Sequence, residues 1–201
     1  MAEPLPARLN PFRVQKLDAL SFRYLHGSHF EIMKQLQRHA MRGEISGPAG
    51  SGKTLLLEEL LAALRDRGAH TALITLKHGE FRNNLHALFP ALLTLPRGTI
   101  LGLDGAEQTG AVLWPLIKLI TLRLRGLIVT THHSGKLPPL YACSTTPALL
   151  KELAEELLGQ QNSIPGKDIL RLFALHNGNI RAALLHCYDN PGFFTMTKQM
   201  Q

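Results

Sequence analysis

Eight consecutive residues, Gly47-Pro48-Ala49-Gly50-Ser51-Gly52-Lys53-Thr54, follow the pattern G-x-x-x-x-G-K-[ST]. Each residue type has a task around a phosphate. Glycines let the backbone curl so that consecutive N–H groups point inward at an anion. A helix opening directly behind the loop adds its positive N-terminal end to the same site. A lysine at position 53 reaches the β- and γ-phosphates, and a hydroxyl at position 54 ligates Mg²⁺. This is chemistry for holding a nucleoside polyphosphate.

Such a site also needs a carboxylate at the end of a buried strand, to hold Mg²⁺ through water. Residues Thr99-Ile100-Leu101-Gly102-Leu103 are followed by Asp104, which fits that role, known as Walker B. Thr54 and Asp104 are therefore the expected metal-holding pair. Hydrolysis needs in addition a group that accepts a proton from, or orients, the attacking water. Many P-loop ATPases carry Glu directly after the aspartate. Here that position is Gly105, and Glu107 is the nearest acidic residue, with Gln108 beside it as an alternative orienter of water. Thr130, Thr131, His132 and His133 close a fourth apolar run, and in a parallel sheet strand C-termini face the ligand crevice. Thr131 and His132 are the candidates there for sensing a γ-phosphate.

The elements that must position these groups are legible around them. Gly43–Ser46 reads as a buried strand leading into the loop, and residues 54–66 read as a strong helix behind it. Strand, glycine loop and helix is the order that the motif requires. Further strands are expected at 71–76, 99–103 and 127–131, with a short fifth at 140–143. Helices are expected at 79–94, interrupted near Pro90, and at 112–124, with Pro115 in the first turn, where proline is tolerated. Ser28-His29-Phe30-Glu31 is a capping-box pattern opening a helix to about Met41. After residue 144 only helical patterns remain. Thr146 caps and Pro147 starts one helix, residues 166–176 form a second that stops at Asn177-Gly178, and Asn179 caps a third. Alternating strands and helices imply a parallel α/β sheet. The expected organisation is an N-terminal arm (1–27) with a docking point at Asn10-Pro11-Phe12, a P-loop α/β core (28–144), a helical lid (145–190) and a tail (191–201).

Composition sets outer bounds. The chain has 201 residues, 45% of them hydrophobic, enough for one core with a small appendage. No apolar run reaches the ~18 residues of a membrane span, and MAEPLPARLNPF has no signal-peptide stretch. Two cysteines, Cys143 and Cys187, make neither a disulfide framework nor a zinc pattern. The expectation is a cytoplasmic protein without a membrane partner. The net charge of +7 and a pI near 9.7 make nucleic acid a candidate partner. Against that, aromatic residues are 6% of the chain, so no base-stacking platform stands out.

Taken in order, the P-loop, the Walker B aspartate, the polar strand tip and the short helical lid make residues 28–189 resemble AAA+ ATPases. Gly178-Asn179-Ile180-Arg181-Ala182-Ala183-Leu184 looks like the sensor 2 motif of that family. The resemblance implies that Arg181 reaches bound nucleotide from the lid, that Mg·ATP sits between core and lid, and that copies of the chain could assemble. The chain departs from the family pattern in two places. No acidic residue follows Asp104, and no arginine lies between the fourth and fifth strands to serve as a finger for a neighbour. Thr131-His132 also resembles the switch histidine of ABC-type ATPases, but no LSGGQ-like signature occurs; no N-K-x-D motif points to guanine. The reading is an α/β P-loop NTPase with a small C-terminal helical lid. Gly47–Thr54 and Arg181 would hold ATP, Thr54 and Asp104 would hold Mg²⁺, and Glu107, Thr131 and Arg181 would act in hydrolysis. A nucleotide-gated binding module with little hydrolysis remains open beside it, as does a small-molecule kinase.

Overall fold

The computed structural model describes residues 8, 10–77, 79, 81–159 and 164–190. The tail 191–201 and residues 1–7 and 9 of the arm lie outside the described residues. The chain forms two compact units. One comprises Tyr24–Gly47 and Gly52–Cys143; the other comprises Met1–Arg23, Pro48–Ser51 and Ser144–Gln201.

The first unit is the α/β unit. Its strands are β1 (Arg42–Ser46), β2 (Thr71–Thr75), β3 (Ile100–Asp104), β4 (Gly126–Thr131) and β5 (Pro139–Ala142), all parallel, in the order β2-β3-β4-β1-β5. Parallel pairing requires crossovers, and helices α3 (Lys53–Asp66), α4 (Phe81–Thr94) and α5 (Gly110–Thr121) supply them. A further helix, α2 (His29–Arg38), precedes β1. β3 and β4 are buried at every residue, as expected of central strands covered on both faces. Leu101 and Leu103 pack with Leu88 and Leu92 of α4 and Ile117 of α5. Gly102, between them, faces the other way, and any side chain there would strike Leu61 of α3. α3 buries Leu56, Leu57, Leu60, Leu61 and Leu64, each contributing about 1.5–3 kcal/mol. The helix that carries Lys53 and Thr54 is thereby fixed to the sheet by its apolar face.

Three helix expectations are corrected here. α5 runs from Gly110 to Thr121, so Pro115 lies inside it rather than in its first turn. α2 stops at Arg38 rather than Met41, because Ala40 and Met41 take left-handed conformations (φ 51° and 60°) and the Met41 amide closes back on Leu36 O at 2.8 Å. That turn feeds the chain into β1. α4 is continuous through Pro90. Burial of Leu88 and Leu92 on either side of the proline holds the helix together despite the lost hydrogen bond. The capping box at Ser28 is present, its hydroxyl accepting from the Glu31 amide at 3.3 Å.

The second unit is helical. α6 (Pro147–Leu158), α7 (Gly166–Leu175) and α8 (Ile180–Asp189) pack around Leu150, Ala154, Leu172 and Ala183. Thr146 Oγ1 accepts from the Leu149 amide at 3.1 Å, and Asn179 Oδ1 from the Ala182 amide at 2.9 Å, so both caps act as their sequences suggest. A short helix, α1 (Val14–Asp18), joins this core. Phe12 is fully buried in it, and Asn10 anchors the approach by donating to Tyr188 O at 3.0 Å. Arg23 adds ion pairs to Glu152 and Glu156 of α6. Among the described residues no helix is long and apolar enough to cross a membrane.

Candidate functional site

Asp104 ends β3, and its carboxylate gathers hydroxyls from two neighbouring elements. Thr54 Oγ1, in the first turn of α3, lies 2.9 and 3.1 Å from the two carboxylate oxygens. Thr130 Oγ1 on β4 donates to Oδ1 at 2.5 Å and accepts from the Gly105 amide at 2.8 Å. Parallel register places these groups together, since β3 lies between β2 and β4 and all three end at the same edge. A hydroxyl beside a carboxylate is the oxygen donor set that Mg²⁺ takes when substrate phosphates and waters complete its shell. Among the described residues no group of three or more His, Cys, Asp or Glu side chains is placed to hold a metal ion.

Lys53 Nζ donates to Gly47 O at 2.7 Å. Burial lowers the pKa of this ammonium below the ordinary lysine value, and Glu107, Cys143 and Asp104 oppose that shift by favouring the charged form. Glu107 is the first of those three opposing influences, so Glu107 and Lys53 share one electrostatic neighbourhood.

Gly105 explains why the acidic residue is displaced. Its φ is +77°, in the left-handed region, and a Cβ at this position would lie 2.8 Å from Leu76 O. No side chain fits directly after Asp104. Instead a 3₁₀ turn, Ala106–Thr109, brings the chain round and sets Glu107 beside the strand ends. Glu107 Oε1 lies 3.2 Å from His132 Nε2 at the tip of β4. Glu107 Oε2 is buried without a hydrogen-bond partner among the described residues. A buried carboxylate oxygen left over in this way is suited to accept a proton or a hydrogen bond from a bound molecule.

Thr131, paired with His132 in the sequence reading, turns elsewhere. It is 1% exposed, and its hydroxyl donates to Glu44 Oε1. The threonine that joins Asp104 is its neighbour, Thr130. Alternation along β4 sends the two hydroxyls to opposite faces.

Glu44 went unnoticed in the sequence. It lies on β1, 1% exposed, and its Oε2 accepts amides from Gly135, Lys136 and Leu137 at 2.9, 3.0 and 3.3 Å. The carboxylate thus ties the β4–β5 connection to the central strand. A glutamate at the middle of a short strand that runs into a glycine loop is the signal that could have marked it. In the same connection, Lys136 Nζ sits 4.6 Å from the centre of the Trp114 ring. Burial lowers its pKa, opposed by Glu44 and Glu107.

In the helical unit, the loop residue Gly50 has φ +71°, and a Cβ there would lie 1.9 Å from Asn179 Oδ1. Asn179 is the N-cap of α8, and Arg181 follows in its first turn. Arg181 Nη2 is 2.9 Å from Asp18 Oδ1, with both side chains about half exposed. Ser51 closes the loop on itself, its hydroxyl donating to Pro48 O at 2.8 Å. Gly47 is tied to β4 by its amide bonding Thr131 O at 3.1 Å.

No protein-family model and no curated protein matches the chain. Solved structures do. Domain III of the replication initiation protein DnaA from Thermotoga maritima superposes with a TM-score of 0.51 at 14% identity, covering 89% of this chain and 90% of that one. PCH-2 of C. elegans gives a TM-score of 0.42 at 15% identity, over 81% of this chain and 46% of the other. The chain has an α/β P-loop fold, a parallel sheet flanked by helices with a helical C-terminal part, the fold of DnaA domain III.

Proposed function

We propose that the protein binds Mg·ATP at the glycine loop and hydrolyses it. The observation that carries this reading is the cluster of Thr54, Asp104 and Thr130 at one sheet edge, within the electrostatic reach of Lys53 and Glu107. The amides of Gly47–Thr54 and the Lys53 ammonium hold the phosphates. Lys53 exchanges its bond to Gly47 O for phosphate oxygens, a stronger partner because it is charged. Thr54 and Asp104 would hold Mg²⁺, and the ion would supply positive charge to offset that of the phosphates. Glu107 takes the proton of the attacking water through its buried Oε2. His132 orients Glu107 from the other oxygen. Arg181 leaves Asp18 for the nucleotide and so links nucleotide state to the helical unit. Copies of the chain assemble in the ATP state.

A second reading, a nucleotide-gated binding module with little turnover, is favoured by one observation. The candidate base is paired with His132, and no carboxylate can follow Asp104 directly. Mg²⁺-dependent ATP turnover as a function of protein concentration, wild type beside Lys53→Ala, separates the two. Lys53→Ala is expected to weaken ATP binding ~10–100-fold; unchanged affinity would remove the loop from the site. Turnover rising faster than linearly with concentration supports a self-assembling ATPase. ATP bound without turnover supports the gated module.

A further inference from the structure

The opposite edge of the same sheet, where β1 to β4 begin, carries charge of one sign. The four residues before each of these strands are Arg38–Met41, Arg67–His70, Pro96–Thr99 and Leu122–Arg125. These sixteen residues hold five arginines, two histidines and no carboxylate. One exposed arginine stands before each strand: Arg67 before β2, Arg97 before β3, Arg125 before β4 and Arg38 before β1. The strand order β2-β3-β4-β1 makes them successive. With neighbouring strands ~4.8 Å apart, the four strand starts span about 15 Å. None of the four has a carboxylate partner among the described residues. The fifth arginine, Arg123, is half-buried and serves the Leu92 carbonyl, so it belongs to the fold rather than to the stripe.

Helix C-termini also gather at this edge, and their dipoles favour cations. That effect fades beyond the last turn, so it accounts for Arg38, the last residue of α2, and for Arg67 next to the end of α3. It does not account for Arg97 and Arg125, three and four residues beyond α4 and α5. A solvated surface would intersperse both signs. Within the six residues before each strand, Asp66 is the single carboxylate.

We propose that this edge binds the phosphate backbone of a nucleic-acid duplex. Arginine offers a planar fork of donors that matches phosphate geometry. A duplex carries one negative charge per ~1.7 Å of axis, so a stripe of about 15 Å meets several phosphates at once. The sixteen residues contain no Phe, Trp or Tyr, and without aromatic platforms a single strand cannot stack its bases. Contact through backbone alone is independent of base sequence. This inference stands apart from the nucleotide reading and does not need it.

The test is fluorescence anisotropy with a labelled duplex of about 20 base pairs, from ~0.05 to ~0.2 M salt. Four neutralised phosphates predict a slope of log K against log salt of about −3 to −4. Replacing all four residues (Arg38→Gln, Arg67→Gln, Arg97→Gln, Arg125→Gln) should abolish salt-dependent binding while the cooperative thermal transition persists. Should that variant not fold, Arg97→Gln alone reduces the slope by about 1. Wild-type slope in either folded variant overturns the proposal. So does a single strand of the same length binding more tightly than the duplex, or phosphatidylserine vesicles binding where the duplex does not. Loss of duplex binding in Lys53→Ala would place the contact at the other edge and overturn it as well. Retained duplex binding by a protein that fails to bind ATP would overturn the nucleotide reading and leave this one standing.

Discussion

At the C-terminal edge of the sheet, polar side chains are buried and answer one another. Asp104 receives hydroxyls from Thr54 and Thr130, and Glu44 receives one hydroxyl and three amides. At the N-terminal edge, about five residues away along each strand, Arg38, Arg67, Arg97 and Arg125 stand exposed without carboxylate partners among the described residues. The difference follows from what each edge can bury. The β4–β5 connection folds back onto β1 through Glu44, and a polar group buried there must find a partner or incur a desolvation cost. The N-terminal edge is reached by tight turns that leave side chains in water, where unpaired charge costs little. One edge therefore turns its polar groups inward, and the other presents charge outward.

The sharpest way to break this contrast is at Glu107. Glu107→Gln should lower kcat for ATP by ~10²–10⁴-fold, the range of a positioned proton acceptor, while duplex binding stays unchanged. Steady-state turnover reads the first and anisotropy the second. Undiminished turnover would move the base elsewhere. Next comes Glu44→Leu, which leaves the Thr131 hydroxyl and three amides without their acceptor. A stability loss of about 2–4 kcal/mol is expected in urea unfolding. Glu44→Gln, retaining one acceptor oxygen, should lose less. Gly105→Ala should cost about 1–3 kcal/mol by the same measurement, because of its left-handed backbone and the contact with Leu76 O. If it were neutral, the reason given for the displaced glutamate would fail.

A subtler effect comes from pH. The pKa of Lys53 is lowered in the free protein, so its charge is present below that value and lost as pH rises through it. Phosphates favour the charged form and restore it on binding. ATP affinity should therefore be full on the acid side and begin to fall below the ordinary lysine range, with proton uptake measurable by calorimetry in two buffers. Affinity flat across this range would mean that Lys53 is not buried as described. Smallest of all, Arg97→Gln should leave the thermal midpoint unmoved, as expected of an exposed charge without partners. A clear drop would mean that the stripe serves stability.

Much of the fold could be read ahead of the structure because it rests on local pattern. Apolar runs mark β2 to β4, the glycine loop marks β1 before it, and side-chain caps at Ser28, Thr146 and Asn179 mark helix starts within a few residues. The fifth strand, a doubtful run in sequence, forms because its backbone pairs with β1. α1 was missed: five residues are too few to show a period. Pro90 was overweighted, since a local rule cannot see the core that holds α4 together.

For the candidate site the division is clearer. Sequence alone determined the glycine loop that opens α3 with Lys53 and Thr54, and the strand that ends at Asp104, because each is a contiguous pattern. Only the tertiary structure decided which threonine of β4 meets Asp104, that Gly105 excludes a side chain, that Glu107 returns to the strand ends, and that Glu44 anchors the β4–β5 connection. It also decided that the starts of β2, β3, β4 and β1, each preceded by an exposed arginine, come to be successive along one edge. Each of these depends on strand order and parallel register, which join residues from separate elements, and no local pattern in the chain encodes which strands will be neighbours.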